Sequence, residues 1–316
     1  MRSNAVQVFS DARQIMVSQR DVFYYYERST ISVEDGRIVA TTTTDSGTSS
    51  YNIPAMNLAL VLLGPGCSVT SAAMELLAAA NVVVGFSGGQ GTPLNSAVEP
   101  IVFSTTTSEY RPTEYMQQWA KMWFQDDIRL QKAKDLMLMR LKAVEKFWPV
   151  VSGNKLTYAM LTGPNPMSVE EYCRRLFSGE KSVSSLLGAE GAHVKRQYSL
   201  MCRTLPIHKT WTRDTNATDG FNTKLTQGNY IAYGLAAVAL NVLGISYAFP
   251  LMHGKTRRGA LVFDIADIVK DSIVTPMAAL HADASNDDFR KMLKQFLFDN
   301  KILGYLINVL KVLAEV

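Results

Sequence analysis

The 316-residue chain is 47% apolar and 19% charged, which describes a soluble globular protein long enough for two domains, each with its own core. Its net charge of +4 is too small to demand nucleic acid as a partner and does not forbid it, so the distribution of charge says more than the sum. Cys67, Cys173 and Cys202 stand far apart with no CxxC pair, which argues against a disulfide framework or a cysteine zinc site and for a reducing compartment.

The opening MRSNAVQVF has no long apolar run after its charge, so no secretory signal and a cytoplasmic location are expected. Val6–Val17 and Val22–Tyr26 read as strands, rich in β-branched and aromatic residues. ISV and IVATTTT flank Glu34-Asp35-Gly36-Arg37, a hairpin signal of the Asp-Gly kind. The polar interval Asp45–Asn52 reads as a loop, and Leu58–Leu63 as a short apolar strand ending in the turn Gly64-Pro65-Gly66. A short helix over Ser68–Ala80, capped by Ser68 or Thr70, precedes a buried strand at Asn81–Phe86. GPGCSVT joins strand to helix as a phosphate loop does, but it lacks the Gly-Lys-Ser/Thr that contacts phosphate, and with SGGQGTP it reads as a turn.

After Pro112 the period changes. Thr113–Trp148 predicts two helices broken near Gln125-Asp126-Asp127, with Met and aromatic residues in an ordinary core stripe. Ser168-Val169-Glu170-Glu171 resembles a capping box, and Ile302, Tyr305, Leu306, Val309, Leu310 and Leu313 make an amphipathic stripe. Asn229–Met252 holds no charge over a length that spans a bilayer, but its asparagines, glycines and Pro250 favour a buried core helix. The fold class expected is α+β in two domains: a β-sandwich-like N-terminal domain with one small helix (1–107) and an all-α C-terminal domain carrying the candidate site (108–316).

Two stretches carry candidate chemistry. In HGKTRRGALVFDIADIVKD, His253 precedes Asp264, Asp267 and Asp271, whose i, i+3, i+7 spacing puts three carboxylates on neighbouring parts of a helix. Acidic residues on a helix are ordinarily solvated. Stacked this closely beside an imidazole they suit a hard divalent ion, and Lys255, Arg257 and Arg258 suit a phosphate brought to it. In SLLGAEGAHVKRQYSLMCRTLPIHKTWTR, Glu190 sits between Ala189 and Gly191, and Lys195, Arg196, Arg203, Lys209 and Arg213 follow with no acidic residue before Asp214. That run is either a solvated basic helix or a surface for phosphates. The polar interval Asp214–Gln227 reads as a mobile loop.

LLGAEGAHV, QGNYIAYGL and HGKTRRGALVFDIADIVKD, after LVLLGPGCSVTSAAMELLA, resemble the CRISPR-associated integrases of spacer acquisition over essentially the whole chain, most of all the subtype I-F branch. The resemblance implies a β-sandwich domain, a helical domain with a metal site, and a homodimer formed largely through the N-terminal domains. By position it implies Glu190, His253 and Asp267 as ligands of Mg2+ or Mn2+, Asp264 as a companion catalytic carboxylate, and Lys195, Arg196, Lys255, Arg257 and Arg258 at the DNA. His193 and Asp271 fall outside that set, and Asp271 is expected at the surface. DSIVTPMAAL departs from the family pattern where an aromatic is expected, a matter of packing.

The implied reaction is transesterification: the 3′-hydroxyl of a short duplex attacks a phosphodiester at each repeat boundary of a CRISPR array, with DNA endonuclease activity when water attacks instead. The implied partners are double-stranded and branched DNA and a small ferredoxin-like adaptation protein, which in subtype I-F is fused to the helicase-nuclease; no membrane is involved. Two other readings stay open on residues alone: a metal-dependent phosphodiesterase acting on branched DNA without integration, and a non-catalytic DNA-binding scaffold.

Overall fold

The structure, a computed structural model, describes residues 22–45, 47–88, 101–103, 113–205, 207, 211–214, 217–254 and 259–315. The strand expected at Val6–Val17 and the cations Lys209, Lys255, Arg257 and Arg258 lie outside the described residues.

Strand β1 (Val22–Tyr26) is followed by the hairpin of β2 (Ser29–Glu34) and β3 (Arg37–Thr44). Asp35 and Gly36 take φ of 48° and 74°, the left-handed pair that matches a two-residue loop to the twist of its strands. The interval expected to be a loop is instead strand β4 (Gly47–Asn52), antiparallel to β3 and exposed at every residue. Ladder bonds and cross-strand hydroxyl pairs hold it, Thr41 with Ser50 at 3.1 Å and Thr43 with Thr48 at 3.2 Å. With no buried residue at alternate positions it has no apolar period to read.

β5 (Leu58–Leu63) is buried throughout, and after the glycine-proline turn β6 (Ser68–Val69) pairs parallel with β2. Thr70 then caps α1 (Ser71–Ala79) by accepting the Ala73 N–H. β7 (Val83–Phe86) and β8 (Ile101–Phe103) follow. Two four-stranded sheets result, ordered β1-β5-β7-β8 and β4-β3-β2-β6. Leu58, Val61 and Leu63 of the first sheet pack with Ile31, Ile38 and Ala40 of the second and with Ala73 and Leu77 of α1. Leu60, Leu62 and Val83 belong to the helical core instead. A sheet covered on both faces explains why β5 is an unbroken apolar run.

The helical part comprises α2 (Glu114–Trp123), α3 (Asp126–Ser152), α4 (Ala159–Thr162), α5 (Val169–Phe177), α6 (Val183–Thr204) and α7 (Gly220–Val242), then α8 (Ala260–Val269), α9 (Thr275–Leu280), α10 (Asn286–Asp299) and α11 (Ile302–Ala314). The break at Gln125 falls where the spacing predicts it. Ser168 caps α5 by accepting the Glu171 N–H. The strands end at Phe103 and α2 starts at Glu114, so the boundary expected at 107/108 falls among residues outside the description.

α7 starts at Gly220, capped by Asp219, so much of the interval expected to be a loop is helix. The uncharged stretch 229–252 is not one span: α7 ends at Val242 and the chain reverses at Gly244, φ 70°. Among the described residues no helix is long and apolar enough to cross a membrane.

One backbone irregularity matters for the site. α8 runs into a π-helical turn, Lys270–Val274, before α9. The Lys270 carbonyl accepts the Thr275 N–H and also its hydroxyl, at 2.8 Å, and the Ser272 hydroxyl donates to the Ile268 carbonyl at 2.6 Å, so side-chain bonds brace the widened turn. α7 presses close to this turn because residue 228 is glycine; a Cβ there would collide with Val274.

Candidate active site

The site is built from α2 inward. The indoles of Trp119 and Trp123 donate to the carbonyls of Phe249 and Pro250 at 2.9 and 2.7 Å, pinning the segment before α8. Its next three amides turn onto one carboxylate: Leu251 and Met252 donate to Asp264 Oδ2 at 2.7 and 3.1 Å, and His253 to Oδ1 at 3.1 Å. His253 Nδ1 closes on the same Oδ1 at 2.6 Å. Asp264 is therefore fully buried with both oxygens engaged, and it stands behind the imidazole. Burial works against a proton on His253, but the Asp264 bond outweighs it and holds the imidazole above its ordinary range. Fixing Nδ1 in this way leaves Nε2 as the face offered outward.

The second group gathers on Arg140, in the middle of α3. Its Nε and Nη2 reach Asp271 Oδ2 at 2.9 and 2.6 Å, Nη2 also reaches Glu190 Oε1 at 2.8 Å, and Nη1 stands 3.7 Å from Asp267 Oδ2. Lys270 pairs with the other oxygen of Asp267. Every residue of α8 is buried, so its acidic residues do not form a solvated face. Asp271, expected at the surface, is 6% exposed: the π turn and the guanidinium draw it inward. Burial first, then Asp267 and Glu190, push Asp271 above the ordinary carboxylate range against the pull of Arg140. Burial acts on Asp267 in the same sense, but Lys270, Arg140 and His253 outweigh it and hold that carboxyl low.

Sequence reasoning missed Arg140, Lys270 and the role of Asp271. A signal for Arg140 exists: it falls in the stripe Ala133, Leu136, Met137, Leu141, Val144, Phe147, all buried, where a charged residue needs a partner. His193 is not near an open position; it is buried against Tyr172 and Phe177 with Nε2 2.9 Å from the Gln197 amide.

The four carboxylates Glu190, Asp264, Asp267 and Asp271 face two permanent cations, Arg140 and Lys270. That leaves two negative charges in excess, or one when His253 is protonated. Among the described residues no three His, Cys, Asp or Glu side chains are disposed around a common metal position. Glu190 and Asp267 are turned onto the cations. The donor set nevertheless fits a hard divalent ion in chemistry and charge: carboxylate oxygens, one oriented imidazole and an excess of two charges. The residues that would hold it are Glu190, His253 and Asp267.

A cleft of about 710 Å³ opens beside Glu190, lined by Lys195, Tyr198, Trp211 and Arg213 among others. Tyr198 and Trp211 meet edge to face with centroids 5.2 Å apart, and Arg213 is tied to α7 through Asn222 and Thr226. Lys195 is exposed and lines this cleft, whereas Arg196 is also exposed but does not line it. The two basic residues that the sequence pairs are thus separated by the helix.

Fold and cluster together define a two-part α+β protein with a carboxylate–imidazole centre in its helical half. The chain belongs to the family described as CRISPR associated protein Cas1, whose model matches residues 23–309. The CRISPR-associated endonucleases Cas1 of Pseudomonas aeruginosa (strain UCBPP-PA14) and Pectobacterium atrosepticum are 37% and 34% identical to it, each over 97% of this chain and 96% of its own. The fold is similar to that of a Cas1 protein from Thermotoga maritima, TM-score 0.65 at 15% identity, covering 92% of this chain and 95% of that one. It is also similar to a casposase bound to an integration product, TM-score 0.63 at 15% identity, covering 92% and 88%.

Proposed function

We propose that this chain is a DNA integrase of CRISPR adaptation, of the subtype I-F kind, that joins the 3′-hydroxyl ends of a short spacer duplex to the repeat boundaries of a CRISPR array and depends on magnesium or manganese. The observation that carries the reading is His253 held by Asp264, which lies one turn before Asp267 on α8, while Asp267 shares Arg140 with Glu190, in a chain 37% identical to a named Cas1 endonuclease. The casposase with its integration product supports the reading at the level of fold.

In each strand transfer the attacking 3′-oxygen loses its proton and bonds to phosphorus, while the bond from phosphorus to the target's 3′-oxygen breaks and that oxygen takes up a proton. No water is consumed. Glu190, His253 and Asp267 would hold a divalent ion, which would supply Lewis acidity at the phosphate. Asp264 does not touch the reacting atoms; it sets the orientation of His253. Lys195, at the lip of the cleft, anchors a phosphate. Water in place of the hydroxyl gives the endonuclease activity. The protein works as a homodimer in the cytoplasm on double-stranded and branched DNA, with the small ferredoxin-like adaptation protein fused to the helicase-nuclease as partner.

The test is strand transfer with that partner, a labelled duplex with free 3′-hydroxyls and a supercoiled plasmid carrying a repeat, with Mn2+ or chelator. Label joined to the plasmid only with metal is expected. Nicking without joined label favours the phosphodiesterase, and DNA binding with neither favours the scaffold.

A further inference from the structure

The proposed reaction assigns nothing to Arg140 and Asp271, yet the Arg140 guanidinium reaches three of the site's carboxylates. Arg140 Nη2 is shared between Asp271 Oδ2 at 2.6 Å and Glu190 Oε1 at 2.8 Å, and Nε bonds Asp271 as well. Asp271 is fixed in turn: the Trp148 indole donates to its carbonyl at 2.9 Å, and its place in the π turn is set by the Thr275 and Ser272 hydroxyls. The guanidinium thus has one carboxylate it bonds twice, Asp271, and two it holds less completely, Glu190 through a single bond and Asp267 at 3.7 Å.

A guanidinium and a divalent ion compete for the same carboxylate oxygens. Lys270 already pairs with one oxygen of Asp267, so a divalent ion arriving on Glu190 and Asp267 adds a further positive charge beside the guanidinium and repels it. The weaker tether gives way, and the two bonds to Asp271 define where the guanidinium goes. We infer that Arg140 and its anchor Asp271 form an internal counter-ion for Glu190 and Asp267, which a divalent cation displaces toward Asp271 when it binds those carboxylates. Arg140 is on this account a positioning residue: it keeps the two carboxylates gathered and offsets part of their charge in the metal-free protein. The inference rests on the divalent-ion reading above.

The experiment is Mn2+ titration calorimetry on the full chain as four proteins: the parent, Asp271→Asn, Arg140→Lys and the double variant. Without its anionic anchor, the guanidinium of Asp271→Asn falls onto Glu190 and Asp267, and Mn2+ affinity drops about tenfold, the usual scale for losing a group that supports a metal ligand. In the Arg140→Lys background, where no planar fork reaches both carboxylates, Asp271→Asn changes affinity less than about threefold, the non-additivity of coupled groups.

An equal loss in both backgrounds, or none in either, overturns the inference, because a remote charge or a purely structural pair acts without coupling. A parent protein that binds no Mn2+ overturns the divalent-ion reading and this inference with it. Should Asp271→Asn fail to fold, the parent's spectrum decides: the Arg140 Nε–H resonance, assigned by its absence in Arg140→Lys, shifts as Mg2+ saturates the site. An unmoved resonance at saturating Mg2+ overturns the inference.

Discussion

His253 Nδ1 lies 2.6 Å from Asp264 Oδ1, and the carboxylate that holds the ring also gathers the amides of Leu251, Met252 and His253. One side chain therefore orients the imidazole and shapes the segment that delivers it. Asp264→Ala strands three amides and the His253 Nδ1–H and is expected to lower unfolding free energy by about 3 kcal/mol or more. Asp264→Asn keeps one acceptor oxygen and should cost less. Urea unfolding checks both; equal stability of parent and Asp264→Ala would remove the carboxylate from that role.

The buried His193 makes an acid-sensitivity prediction. Burial first, then Arg140 and Arg196, push it down to about 4 from the ordinary 6.5. Between those values the unfolded chain binds more protons than the folded one, so stability is present above pH 6.5 and falls as pH drops toward 4. The full contribution is about 3 kcal/mol. His193→Gln is expected to flatten this part of the stability profile measured by denaturant unfolding at stepped pH. An unchanged acid slope would show that other groups cause it.

Much of the fold is legible because burial leaves a period. The Asp35-Gly36 hairpin, the apolar run of β5, the break at Gln125 and the α11 stripe each follow from a local residue pattern that can be read without knowing its partners. β4 is not legible, since its stability comes from β3 and its own side chains all face solvent. Arg140 is harder still. Its partners Glu190 and Asp271 lie 50 and 131 residues away, so nothing in α3 itself distinguishes it from a solvated arginine except its place in the apolar stripe. Asp271 is misread for the complementary reason: a regular helix continued from α8 does not predict the π turn that carries it. The four site residues drawn from the family resemblance are gathered here in two groups, His253 with Asp264 and Glu190 with Asp267.

Lys195 and Arg196 should separate functionally. Lys195 lines the cleft beside Glu190 and Arg196 does not. Lys195→Glu is expected to weaken duplex binding at every sequence tested and to reduce the salt slope of log Kd by about one, while Arg196→Glu leaves that slope nearer the parent's. Fluorescence anisotropy over a salt series reads both. Identical losses would mean that the DNA does not follow the cleft.

Arg140→Gln leaves Glu190, Asp267 and Asp271 sharing Lys270 alone, and unpairing a buried charge cluster costs about 3–5 kcal/mol. Because the deficit is carboxylate repulsion, it should narrow as pH falls and Asp271, already held above the carboxylate range, takes up its proton. Thermal melting at stepped pH checks this. A deficit independent of pH would assign Arg140 to packing.

The central claim is that Glu190, His253 and Asp267 are one centre for strand transfer, and the most direct measurement is joining of labelled duplex to a repeat-bearing plasmid by the parent, Glu190→Ala and Asp267→Ala at matched DNA affinity. Loss of joining and of nicking in both variants, with folding and duplex Kd retained, is the predicted result. Joining at the parental rate by either variant would contradict it and place the chemistry elsewhere on the chain.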